Sequence, residues 1–326
     1  TAWDYFTVAR RLLPEDSWRN SYSFTLEVFE SSVEAAYLAG ELEAMEELFG
    51  VVLRQAQTSL DTVKVHEVII QALTARTKLL EAVDTGLGYL RSLDIAFPQV
   101  PTWNDIHAAL QETRSTYQRK SIPELIDLPL MRDPARLAAI RILASISAAA
   151  FLSSPELYAL IVLKQVDLSV RYGNTPASAF SYACYGLILC GTVIEIEAGY
   201  QFGRLALDLL ERFEDKGWQC RVPAVVYSFI SHWKQSVRDS LVPLMSAYHD
   251  GLENGDFQFA GYSAILSVAF PFFAGIDRVL ADLQREALSL NRSASQMKQM
   301  SICQYFAIFL QGLHDLREGR TSQYLQ

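Results

Sequence analysis

Apolar positions recur along this chain at the three-to-four-residue spacing of helices, and no segment alternates apolar with polar residues as a half-buried strand does. The pattern predicts an all-α protein. Three helix starts are sharply marked. "RDPARLAAIRIL" places Asp133 at the N-cap and Pro134 at the first helical position; "SSPELYALIVL" repeats this with Ser154 and Pro155, and "NTPASAFSYACYG" with Thr175 and Pro176. A side-chain oxygen accepts from an orphan backbone N–H, and proline has no donor to leave orphaned there. Starts at such short intervals imply helical hairpins joined by tight turns. The pattern breaks at "SLDIAFPQVPTW" and again at "SIPELIDLPLMRDP", with one helix from about Trp103 to Gln118 between them. We therefore expect an N-terminal hairpin half (1–95), an irregular connection carrying one helix (96–132) and a C-terminal hairpin half (133–326).

Three segments align on a glycine: "AAYLAGELEAM", "YGLILCGTVIEI" and "HDGLENGDFQFA". Tyr37, Ile188 and Leu252 lie three before it, and Leu42, Val193 and Phe257 lie two after it. In a tetratricopeptide-type hairpin a left-handed glycine closes the first helix and the next apolar residue opens the packing face of the second. Gly40, Gly191 and Gly255 take that place here, at unequal spacings that predict a degenerate array. "EIEAGYQFGRLALDLL" poses a separate question, because Gly199 and Gly203 could cradle a phosphate or let two helices approach. A phosphate loop needs strand, turn and a helix N-terminus with free N–H groups, followed by Lys-Ser/Thr. Neither context is present. The expectation is a flat helix face for packing.

Of 326 residues, 50% are hydrophobic and 20% charged, which suits a folded body, and the net charge is −9 with no basic stripe. That excludes a phosphate-neutralising nucleic-acid binder. The apolar stretches "AAIRILASISAAAFL" and "YSAILSVAFPFFAGI" fall short of the roughly 20 residues of a membrane span, so we expect buried helices and no membrane partner. Cys184, Cys190, Cys220 and Cys303 form no metal or redox spacing and suggest a reduced, cytoplasmic chain. The start at Thr1 and the closing "TSQYLQ" suggest a piece of a longer polypeptide.

Catalytic motifs fail one by one. "HEVII" has Ile70 where a zinc-protease helix needs its second histidine, so His66 is expected at the surface or at a cap. "GDF" at Gly255 reverses the kinase metal motif, and "GYS" at Gly261 lacks the flanks of a nucleophile elbow. Glu46–Glu47 and Glu195–Glu197 sit at solvent-facing helix positions. No catalytic residue, metal site or cofactor is expected. Two aromatic groups remain as candidates for binding. Tyr172, Asn174, Tyr182, Tyr185 and Tyr200 surround one helix junction, and "SHWK" brings His232 and Trp233 together. Amphipathic aromatics suit a binding groove, and the competing reading is a core with satisfied hydroxyls.

Taken together, "FTVARRLLPEDSW", "EAAYLAG", "LPLMRDPARLAAIRIL", "RYGNTPASAFSYACYGLIL", "AGYQFGRLALDLL", "SHWK" and "LENGDFQFAGYS" resemble the helical region of bacterial multi-sensor signal-transduction multikinases, from about Ala2 to Phe309. In that family a Ser/Thr kinase domain, a STAND-type ATPase and a tetratricopeptide-like region precede a GAF domain and a histidine kinase. The resemblance implies a right-handed superhelix of antiparallel hairpins, a degenerate α-solenoid. It also implies a non-catalytic regulatory module. Its partners would be the flanking kinase and ATPase domains and a protein or small-molecule inducer. A purely structural spacer and an enzyme with a pocket at the tyrosine cluster are the alternatives.

Overall fold

The computed structural model describes residues 1–276 and 279–319, so the closing "TSQYLQ" stretch lies outside the described residues. Two compact units emerge. The first takes in Thr1–Gln111 and Met131–Leu168, the second Glu112–Leu130 and Ser169–Gln326. Among the described residues no strand forms, and the β-type pairing is a single parallel bridge between Leu130 and Asn174.

The first unit begins with helices α1 (Ala2–Leu12), α2 (Ser17–Asn20) and α3 (Tyr22–Ala39), then α4 (Leu42–Gln55), α5 (Val63–Ala75) and α6 (Leu79–Arg91). It continues with most of α7 (Trp103–Tyr117), with α8 (Pro134–Ser153) and with most of α9 (Pro155–Tyr172). The second holds the ends of α7 and α9 and a 3₁₀ turn at Pro123–Asp127, followed by α10 (Pro176–Ile188), α11 (Ile196–Phe213) and α12 (Arg221–Phe229). Helices α13 (Leu241–Asn254), α14 (Phe257–Phe273), α15 (Leu280–Gln296) and α16 (Met300–Arg317) complete it.

The caps explain where these helices start. Asp133 Oδ1 accepts from the N–H groups of Ala135 (2.9 Å) and Arg136 (3.2 Å), ahead of Pro134. Thr175 and Ser178 exchange a capping box at the head of α10. One turn geometry recurs between hairpin arms. A left-handed residue ends the first helix, and the next N–H bonds back five residues: Glu41 to the Ala36 carbonyl (2.8 Å), Lys78 to Leu73 (2.9 Å) and Gln299 to Ala294 (3.0 Å). The left-handed residues are Gly40, Thr77 and Lys298, and Gly255 holds the same conformation between α13 and α14. At the α10–α11 turn the expectation for Gly191 is overturned. A π-helical turn over Leu189–Val193 absorbs one extra residue, and Ile194 takes the left-handed conformation at φ 62°. The Glu195 N–H then reaches back to the Leu189 carbonyl at 2.8 Å.

In the first unit Val33, Met45, Val52, Val65 and Ile69 make one apolar cluster among α3, α4 and α5. Each side chain of that size contributes about 1.5–3 kcal/mol by leaving water. Gly86 brings α6 against α8 so closely that a Cβ there would lie 2.3 Å from Ile146 Cγ2. Helix α8 has 20 residues, and a second apolar helical run covers 176–193; both are long and apolar enough to cross a membrane, with more than half of each buried inside the fold. The length argument from "AAIRILASISAAAFL" thus fails, because the capped start at Pro134 adds about one turn ahead of the apolar run.

In the second unit Tyr248, Ala260, Val268, Ala287, Ile302 and Phe306 form a cluster over α13–α16. A buried ion pair ties α12 to that part of the fold. Arg221 Nε lies 2.5 Å from Asp256 Oδ2, with both side chains only 10% exposed. The guanidinium sits 5.4 Å from the Trp218 ring centroid and 5.2 Å from that of Phe259. Asp256 also caps α14, its Oδ1 accepting from the Phe259 N–H at 3.4 Å.

Candidate functional site

Helices α10 and α11 meet along a seam of glycines. A Cβ at Gly199 would lie 2.4 Å from Cys190 Sγ and 2.8 Å from the Gly186 carbonyl oxygen; one at Gly203 would lie 2.9 Å from Ile230 Cγ2. Gly199 and Gly203 are packing residues, as their place inside a helix requires. The close approach sets α10 deep in the second unit, and its aromatic side chains follow it inward.

Tyr182 and Tyr185 are fully buried, and Asn174 is 2% exposed. The Tyr182 hydroxyl donates to Asn174 Oδ1 (3.1 Å), and Asn174 Nδ2 donates to the Leu125 carbonyl (2.8 Å). The Asn174 N–H bonds to the Pro129 carbonyl at 2.7 Å. Gly173, at φ 107°, makes this possible, since any Cβ there would sit 2.2 Å from the Pro129 oxygen. Arg212 Nη1 holds the same segment from α11 through the Ile126 carbonyl at 2.7 Å. Tyr185 shares a hydrogen bond with Tyr117 (3.1 Å), and the Phe202 ring lies 4.8 Å from Tyr185 and 5.6 Å from Tyr117. Burial pushes the phenol pKa of both Tyr182 and Tyr185 upward, reinforced at Tyr185 by the neighbouring Tyr117.

The five-residue groove expected from the sequence is therefore corrected. Asn174, Tyr182 and Tyr185 are core residues with satisfied polar atoms and offer no surface to a ligand. Tyr172 is 42% exposed at the end of α9. Tyr200 stays near the surface, where its hydroxyl accepts from Gln235 Nε2 at 3.0 Å. His232 and Trp233 are exposed on a 3₁₀ turn after α12, their rings stacked with centroids 5.6 Å apart. Trp233 Nε1 donates to the Phe229 carbonyl at 3.1 Å, and partial burial lowers the His232 pKa.

A small cleft lies between α11 and the α12 region, with room for little more than water, about 50 Å³. Tyr200, Arg204 and Tyr227 are among the residues that line it, and Val226 and Ile230 at its base are buried in the packing against Gly203. Of the expected tyrosine group Tyr200 lines this cleft, and Arg204, four residues on and so on the same helix face, lines it too. Three of the four carboxylates considered for acid–base work sit in ion pairs at the surface. Glu46 meets Arg76 (3.0 Å), Glu195 meets Arg114 (2.7 Å) and Glu197 meets Lys234 (2.5 Å). His66 is half-buried on α5. Its ring packs against Phe49 and Tyr89 at 5.2 and 4.8 Å, its Nδ1 lies 2.7 Å from the Thr62 carbonyl, and burial lowers its pKa.

No family model matches the chain. It is similar to hybrid signal transduction histidine kinase G of Dictyostelium discoideum, with 17% identity over 300 residues. The alignment covers 83% of this chain and 9% of that kinase. The chain thus spans less than a tenth of the length of the curated relative it matches.

Proposed function

We infer that this chain is a non-catalytic, regulatory and interaction module of a multidomain signal-transduction kinase. The observation that carries the reading is the partial alignment. Most of the chain finds its counterpart in a small fraction of a hybrid histidine kinase. An all-helical body in which three of the four candidate carboxylates sit in surface ion pairs suits an accessory role. In this reading its hairpins string into a degenerate tetratricopeptide-like, right-handed superhelix in the cytoplasm. Binding of a protein or small molecule biases the flanking STAND-type ATPase and kinase domains, by favouring one of two states of the whole polypeptide. The exposed His232–Trp233 turn and the surface beside Tyr200 are the contact points.

The test is autophosphorylation of the longer polypeptide that carries this segment. Replacing His232 and Trp233 with alanine should change its rate several-fold, while the isolated chain should transfer no phosphate from ATP. An unchanged rate, and the same rate with an unrelated helical spacer in its place, would establish a spacer instead.

A further inference from the structure

The α13–α14 and α15–α16 hairpins share one plan. Shifted by 43 residues, the distance from Gly255 to Lys298, the first pair of helices falls on the second. Gly255 and Lys298 both take the left-handed conformation between the arms. In the first arms Leu244, Ala247 and Gly251 correspond to Ala287, Leu290 and Ala294, and all six are buried. In the second arms Phe259 corresponds to Ile302, again buried in both. The match in burial fails along one face of the second arm. On α14, Ala269 is 7% exposed, and Tyr262 and Ile265 lie against the apolar cluster of the unit. The α15–α16 hairpin covers α14 there, and the Tyr262 ring meets that of Tyr305 with centroids 6.4 Å apart. The counterparts of Tyr262, Ile265 and Ala269 on α16 are Tyr305, Ile308 and Gly312. Their chemistry is the same, but Ile308 is 72% and Tyr305 36% exposed. A Cβ at Gly312 would meet nothing within 4 Å among the described residues. Leu316, 56% exposed, extends the row into a stripe at helical spacing.

A helical repeat cannot bury its apolar face alone, and an array that stops does so in a unit with a polar outer face. The outer face of α16 is not polar. We propose that the stripe of Tyr305, Ile308, Gly312 and Leu316 seats a further helical hairpin of the same plan, supplied by the polypeptide beyond α16. The proposal rests on the reading of this chain as one segment of a longer signalling protein and adds where its helical array goes on. The occupant follows from the unit itself, where the same positions of α14 carry a hairpin. A source in the same polypeptide fits the alignment, in which the matched segment is 9% of the relative's length. The exits correspond too, since α16 ends on left-handed Gly319 (φ 64°) as α14 is followed by left-handed Gly275 (φ 59°). One position departs from the plan. Gln304 stands where Gly261 admits Ile302 so closely that a Cβ would lie 2.5 Å from Cγ1, so the new contact is looser at that point.

The experiment compares hydrogen exchange in the 326-residue chain with exchange in the polypeptide extended along its own sequence by one repeat, about 45 residues. Peptides spanning 305–316 should exchange at least tenfold more slowly in the extended form. Ile308→Glu should abolish that slowing, and Ile308→Val should keep it. In the 326-residue chain Ile308→Glu should leave the thermal midpoint and α16 exchange unchanged, because the position is exposed. That control separates lost docking from lost folding. Sedimentation should find the 326-residue chain monomeric. Equal exchange in the two forms overturns the proposal, as does slowing that survives Ile308→Glu. A dimer of the 326-residue chain that Ile308→Glu dissociates would seat a second copy on the stripe and overturn it as well. The autophosphorylation test of the His232–Trp233 turn reads a different surface, so either proposal can fail while the other stands.

Discussion

Asp256→Asn should unfold the second unit far more easily than its small chemical change suggests. The asparagine keeps the cap on α14, because Asn and Asp are equally good N-cap residues. It removes the charge that Arg221 meets at 2.5 Å in a site where both side chains are 10% exposed. The guanidinium is then left between the Trp218 and Phe259 rings without its counter-ion. Breaking a buried pair from one side costs about 3–5 kcal/mol. The cation–π contacts with the two rings are present before and after the change, so they offset little of this. The expected net loss is about 3–5 kcal/mol. Arg221→Met in the same background fills the space between the rings and removes the stranded charge, so the double variant should return to within about 1 kcal/mol of the parent. Urea unfolding followed by circular dichroism measures this. At a slope of about 3 kcal/mol per molar urea, the upper part of the range that a chain of this size calls for, the single variant shifts its midpoint by roughly 1–2 M. Additive losses in the double variant, or a single-variant loss below about 1 kcal/mol, would refute the reasoning.

Two further outcomes are expected. Ile194→Gly should stabilise the chain by about 1 kcal/mol in the same assay, because a β-branched residue at φ 62° is strained and this one, 63% exposed, forfeits little burial. The buried phenols of Tyr182 and Tyr185 should stay protonated in the folded chain when exposed tyrosines ionise, as read by absorbance near 295 nm. The sign follows from their raised folded pKa values. The stability they contribute is complete below about pH 10, the unfolded tyrosine value, and is lost as pH climbs above it.

The parts of the fold legible in the sequence were those written in local chemistry. Asp133 with Pro134 and Thr175 with Pro176 mark helix starts because cap and helix lie within four residues. Gly40 and Gly255 mark turns because a left-handed residue prefers to lack a Cβ. The same turn built on Thr77 and Lys298 escaped notice, since its back-bond and packing hold an ordinary side chain in that conformation. Gly191 misled for a related reason, as the π-helical turn moved the left-handed position to Ile194. The tyrosines were harder. Every residue of α10 from Ala177 to Gly186 is buried, so no apolar stripe tells an inward face from an outward one. Their partners, Tyr117 and the Leu125 carbonyl with Asn174 between, are distant in sequence, and no period links them.

The bonds that hold the Pro123–Leu130 segment also fix an order of events during synthesis. Most hairpins here can form as soon as their second arm leaves the ribosome, because their contacts are short-range. The segment at 123–130 cannot. Its anchors are Asn174, reached 49 residues after Leu125, and Arg212, reached 86 residues after Ile126. At about 5–20 residues per second, the Arg212 anchor arrives roughly 4–17 s after the carbonyl it holds. During that interval the nascent chain carries Leu125, fully buried in the finished fold, as an unclaimed apolar side chain. The segment therefore docks late, and a ribosomal pause between α9 and α11 would lengthen the window in which it is exposed to chaperones or to misdocking.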